Sequence, residues 1–126
     1  MGLDNGVRIK NFDENYKKYF TPMWDMKDED NEFEICYWRK CWNVRDVFIS
    51  TLHIPNGQFE QKLDPEDINI LITKLGKLLS AETWEDSIWE FDEYFEHMIN
   101  CICNLKMLKF YMEDHPDCEV YFYDSY

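Results

Sequence analysis

The sequence predicts an α+β domain, with a small antiparallel sheet of about three strands packed on three to four helices, one of them long and amphipathic. Alternating segments near both ends and after residue 31 supply the strands. Between them, apolar residues recurring every three or four positions supply the helices, and a 45% hydrophobic fraction supplies a core. The 126 residues, 1–126, make one domain.

Gly6–Lys10 alternates and reads as an edge strand entered through a glycine turn. Asn11 then caps a short helix, with Glu14 in the capping-box position and Phe12, Tyr16, Tyr19 and Phe20 on one face. Thr21-Pro22 ends it. Residues 21–31 carry Pro, an acidic cluster and no periodicity, so they read as an exposed loop. Glu32–Tyr37 alternates, with Phe33, Ile35 and Tyr37 on one side.

From Trp38 the period becomes helical and continues to about His53, before a turn at Ile54-Pro55-Asn56-Gly57. Asp64-Pro65-Glu66-Asp67 is a strong helix start, with a capping Asp, Pro at the first helical position and acids facing the positive end of the dipole. Ile68, Leu71, Ile72, Leu75 and Leu79 face inward. Ser80 caps the longest helix, whose stripe is Trp84, Ile88, Phe91, Phe95, Met98, Ile102 and Leu105. Lys106 and Lys109 would fall on that stripe, so a bend or repacking is expected after about Asn104. Pro116 ends the helical part, and Cys118–Tyr123 alternates as a last strand that brings the termini together.

Charge narrows the function. With 13 basic and 26 acidic residues the net charge is −13. Extended nucleic acid is therefore excluded as a direct partner, because phosphate binding needs clustered cations. No apolar run is long enough to cross a bilayer, so no membrane association is expected, and five cysteines fit reduced thiols in a cytoplasmic setting. Acidity favours a basic partner protein. With 5 Trp, 8 Tyr and 9 Phe, the chain also holds more aromatic surface than one small core hides, which makes a homodimer one of the expected states.

One segment reverses the local charge: residues 36–48 carry Arg39, Lys40 and Arg45 against Asp46 alone. On a helix begun at Trp38, the residues Trp38, Trp42 and Arg45 are spaced i, i+4, i+7 and project two indoles and a guanidinium from neighbouring turns. Arg45 falls inside the apolar arc and must find an anion there. That anion is either one of the chain's own carboxylates, with the guanidinium stacked on Trp42, or a ligand phosphate or carboxylate. Trp38, Arg39, Trp42 and Arg45 are accordingly the candidate ligand-binding residues.

Metal and covalent chemistry have less support. His97 and Cys101 share a helical face, but Cys103 points about 200° away from Cys101 and no C-x-x-C occurs, so no metal site is expected. No local signature marks a catalytic cysteine, and a glycine-rich phosphate loop is excluded by having only Gly2, Gly6, Gly57 and Gly76. No cofactor and no catalytic residue are assigned. The third feature is acidic: Glu85, Asp86, Glu90, Asp92, Glu93 and Glu96 oppose the apolar stripe of the long helix, as a solvated face or as a protein-binding one.

The opening Met1-Gly-Leu-Asp-Asn-Gly6 and the segment Glu34-Ile-Cys-Tyr-Trp-Arg-Lys-Cys-Trp-Asn-Val-Arg45 resemble a set of small uncharacterised bacteriophage and prophage proteins. The resemblance implies a setting in the host cytosol and no particular mechanism. The expected function is a binding protein, a host-defence inhibitor that sequesters a small anionic or nucleotide ligand or blocks a host protein. The alternatives are a DNA-mimic-like inhibitor of a nucleic-acid-binding host protein and a small hydrolase or transferase on a phosphorylated substrate.

Overall fold

The structure is a computed structural model that describes residues 4–23, 32–39, 41–52, 60–80 and 91–125. It is an α+β fold. Four strands, β1 (Asp4–Lys10), β2 (Phe33–Arg39), β3 (Glu60–Leu63) and β4 (Glu119–Ser125), form one antiparallel sheet in the order β2-β1-β4-β3. Three α-helices, α1 (Trp42–Leu52), α2 (Pro65–Ser80) and α3 (Phe91–Asp114), join a short 3₁₀ helix at Glu14–Tyr19.

The sheet has one strand more than expected, because the polar run Glu60–Leu63 pairs with β4 and gives no apolar alternation to announce itself. β1 lies between β2 and β4 and is not an edge strand. The two end strands do lie side by side, with Asp4 opposite Ser125. In β2 the expected alternation breaks once. Val7 pairs with Cys36 and Arg8 with Glu34, so Ile35 is an extra residue and the strand bulges there. Ile35 and Cys36 are both buried as a result, and the inward side passes to Cys36 and Trp38.

Beyond the bulge, Trp38 and Arg39 pair with Asn5 and Asp4 of β1, so the strand continues to Arg39 and overturns the helix expected from Trp38. Trp38 is a strand residue, and its indole N–H donates to Met98 Sδ at 3.2 Å in the core. The helix begins only at Trp42, so the i, i+4, i+7 spacing of Trp38, Trp42 and Arg45 describes no common face. Gly6 is required beside the bulge: a Cβ there would meet the Cys36 carbonyl oxygen and approach Glu34 Oε1 to 2.7 Å and Tyr123 Oη to 2.8 Å.

One face of the sheet, with Val7, Ile9, Trp38, Val120 and Phe122, packs on the helices. Phe48 of α1 stacks on Phe122 with centroids 4.5 Å apart and meets Trp38 at 5.4 Å. α2 starts as expected. Asp64 Oδ1 accepts from the Asp67 N–H at 2.9 Å and Asp67 Oδ2 from the Asp64 N–H at 3.0 Å, a reciprocal cap with Asp in the usual Glu position. Ser80 is the last residue of α2, where its hydroxyl donates to the Gly76 carbonyl at 3.1 Å, and residues 81–90, where it was expected to cap the next helix, lie outside the described residues.

α3 runs as one continuous helix through Asn104 to Asp114. Its buried side is Tyr94, Met98, Cys101, Leu105, Leu108 and Tyr111, so Tyr94 replaces Phe95 on the inward face and Lys106 stays in solvent. Asn104 is buried and fully used: its amide donates to the carbonyls of Thr21 and Ile35, each at 2.9 Å, and accepts from the Thr21 N–H at 2.9 Å. Asn11 sits at φ 54, the left-handed region that Asn tolerates, and turns the chain, leaving Asp13 as the actual cap of the 3₁₀ helix. The turn expected at 54–57, Trp84 and Ile88 lie outside the described residues, as does the loop beyond Met23 up to residue 31.

Candidate functional site

The strand-to-helix corner where β2 ends and α1 begins holds the candidate ligand-binding residues, and the structure separates them. Trp38 is buried in the core and offers nothing to a ligand. Arg39, at the end of β2, is exposed. Trp42, the first residue of α1, keeps 43% of its surface exposed. Lys40 lies outside the described residues.

Arg45 has an anion of its own. Its Nε donates to Asp124 Oδ2 at 2.9 Å, both side chains are buried, and its guanidinium lies 5.8 Å from the Trp42 ring centroid. This is the intramolecular pair on an apolar helix face that the sequence left open. The Asp124 carboxylate comes from β4, 79 residues away, and no periodicity within α1 points to it. Asp124 faces Asn5 across the β1–β4 ladder. Among the described residues, Asp124 Oδ1 and both polar atoms of the Asn5 amide are buried without a hydrogen-bond partner.

Behind the corner lies a thiol cluster. His97 and Cys101 do share a face of α3, with Sγ 3.3 Å from Nε2, and the same Nε2 contacts the Tyr37 carbonyl oxygen. Cys36 Sγ donates to the Cys101 carbonyl at 3.5 Å. Burial pushes the Cys101 thiol up, but hydrogen bonds from Cys36 and His97 outweigh it and bring the group down to about 6. Burial likewise opposes charge on His97, yet Cys101 and the Tyr37 carbonyl raise it overall. The pair has the electrostatics of an activated thiol. Both Cys36 and Cys101 are closed to solvent, however, so a substrate has no approach to either sulfur in this conformation. Cys103 is exposed on the far side of α3, and no group of three or more metal-ligating side chains among the described residues is placed to hold an ion.

The sheet's other face carries a network that the sequence did not announce. Arg8 Nε donates to Glu34 Oε2 at 2.6 Å and its guanidinium lies 4.3 Å from the Tyr123 ring centroid. The Tyr123 hydroxyl donates to Glu34, and the Tyr37 hydroxyl donates to Asp4 at 2.7 Å. Burial pushes the Glu34 carboxyl up to about 7, against the downward pull of Tyr123 and Arg8. The available signal was register alone, since Arg8, Glu34 and Tyr123 become neighbours only when β1 is central.

Of the acidic candidates, Glu93 and Glu96 are exposed on α3. Glu85, Asp86 and Glu90 lie outside the described residues, and Asp92 is placed only as a backbone position within α3. Among the described residues no helix is long and apolar enough to cross a membrane. Comparison with protein-family models, curated proteins and solved structures finds no match.

Proposed function

We propose that the chain is a non-catalytic binding protein that blocks a basic host protein, using a surface anchored by Trp42 and Arg39. The observation that carries this reading is Trp42, a large indole left 43% exposed at a helix start beside an exposed arginine. Trp and Arg are the residue types on which interface energy concentrates. The net charge of −13 supplies the long-range attraction for a basic surface, and Arg39 supplies a directional donor at short range.

A small anionic or nucleotide ligand has less to hold it, because Arg45 already pairs with Asp124. The hydrolase or transferase reading has less to support it, because Cys101, the thiol with activated electrostatics, is sealed from solvent. The resemblance to phage and prophage proteins supports a host-defence inhibitor working in the host cytosol. A homodimer belongs to the same proposal.

Native mass spectrometry of the purified protein, alone and after mixing with host lysate, tests it. The expected result is a host protein captured at defined stoichiometry and released by salt. The paired substitution Trp42→Ala and Arg39→Ala abolishes capture without lowering the melting temperature. Equal capture by the paired variant overturns the assignment of the surface. A small anion released on denaturation, with no protein captured, favours ligand sequestration, and competition by duplex DNA identifies the DNA-mimic form.

A further inference from the structure

The binding surface at the corner makes no use of the thiols behind it. Cys36 of β2 and Cys101 of α3 are 65 residues apart in sequence and meet in the core. The Cys36 thiol faces the backbone of Cys101, with Sγ 3.5 Å from the Cys101 carbonyl oxygen, and it also hydrogen-bonds the Cys101 sulfur. Contact between two sulfurs is the arrangement from which a disulfide closes.

The neighbours of His97 decide where its proton sits. Nε2 contacts the Tyr37 carbonyl oxygen, which only accepts, so Nε2 carries a hydrogen. The same Nε2 lies 3.3 Å from Cys101 Sγ, which is therefore the acceptor in that contact. A sulfur that accepts from an imidazole N–H and from a second thiol is held toward its thiolate, the nucleophilic form. Against the opposing effect of burial, those two bonds bring Cys101 down to about 6. Burial pushes the Cys36 thiol up, so one sulfur of the pair is poised to attack while its neighbour keeps its proton.

We infer that Cys101 and Cys36 are a peroxide-reactive pair that closes to a disulfide tying β2 to α3. Size selects the reagent. Cys101 itself is closed to solvent, but two groups against its sulfur, His97 and Met23, are only half-buried, and Met23 Sδ is 3.9 Å away. Rotation of that unbranched, flexible Met side chain admits a molecule of about the size of water, such as hydrogen peroxide, and excludes a peptide or a nucleotide. The Cys101 thiolate then attacks one peroxide oxygen: an S–O bond forms, the O–O bond breaks, and the departing hydroxide takes a proton from solvent as water. Next the Cys36 sulfur attacks the Cys101 sulfenic acid. An S–S bond forms, the S–O bond breaks, and the hydroxyl leaves with the Cys36 proton as a second water. The sulfur pair gives up two electrons and the peroxide takes them.

Non-reducing mass spectrometry of the full chain and of its peptides, after treatment with hydrogen peroxide, tests the inference. The expected product is a monomer lighter by about 2 Da, the two thiol hydrogens, with a cross-linked peptide pair that holds residues 36 and 101. A dithiol reductant restores the mass. Cys36→Ser stops the reaction at the Cys101 sulfenic acid, which a cyclic dione traps. His97→Gln keeps a donor for the Tyr37 carbonyl and is expected to slow cross-linking roughly tenfold or more at an unchanged melting temperature, by lowering the thiolate fraction. A histidine that merely sealed the core would give faster oxidation when replaced. The wild-type peptide map decides the inference whether or not either variant folds. A wild type that forms no 36–101 link at a peroxide concentration that oxidises the exposed Cys103 overturns it, as does a link between another pair of cysteines in its place. A folded His97→Gln variant that links as fast as the wild type overturns the role of the imidazole.

Discussion

At the scale of single residues, the ion pair of Arg45 with Asp124 decides what the conspicuous arginine is for. A buried pair is weak evidence of stability in itself, but removing one partner strands the other charge. Arg45→Met is therefore expected to lower stability by about 3–5 kcal/mol, whereas Arg45→Met combined with Asp124→Leu recovers most of the loss. Urea unfolding of the two variants and the wild type checks this. Arg45→Ala is for the same reason a poor probe of binding.

Glu34 gives a pH prediction at the same scale. Its carboxyl ordinarily titrates at 4.5 and in the fold at about 7. Between those values the native state holds a proton that the unfolded state has lost, so this group's contribution is full below pH 4.5 and fades as pH rises through 7. Arg8 and Tyr123 face the carboxyl and limit the shift, since both favour its charged form. Glu34→Gln is expected to flatten the fall in melting temperature over that window. A wild type whose stability does not fall relative to Glu34→Gln there contradicts the assignment.

At the scale of elements, what was legible in the sequence was what local chemistry determines. The Asp64-Pro65-Glu66-Asp67 start, the inward face of α2 and the alternation of the last strand are each set by neighbours within a turn or a pleat. The misplacement of Trp38 has a different origin: one bulged residue at Ile35 shifts the inward face by one position, and pairing with Asn5 and Asp4 of β1 holds Trp38 and Arg39 in β2. Bulges arise from pairing with another strand, which no window on one segment contains. The same applies to β3, whose polar residues pair only because β4 offers an edge. Asn104 illustrates the long-range part. Located on α3, it satisfies the backbone of Thr21 and Ile35 with three hydrogen bonds. Asn104→Leu leaves the buried Ile35 carbonyl unpaired and removes both bonds to Thr21, and is expected to cost about 2 kcal/mol, with faster hydrogen exchange at the Thr21 amide.

At the scale of the whole molecule, the charge of −13 is divided. Glu93, Glu96, Glu113 and Asp114 stand in solvent on α3 beside the exposed Lys106, and Arg45 is neutralised internally. Half of the expected site was thus legible. That Arg45 needs an anion followed from its apolar arc, but the choice between Asp124 and a ligand required the register of β1 and β4. Trp42 and Arg39 are left as the outward-facing part of the corner, and the binding function rests on them.

The most direct test of that function is the dissociation constant of the captured host protein for the wild type and for Trp42→Ala, measured at one salt concentration. A loss of roughly tenfold or more with an unchanged melting temperature is the result expected of a central aromatic anchor. An unchanged dissociation constant contradicts the account.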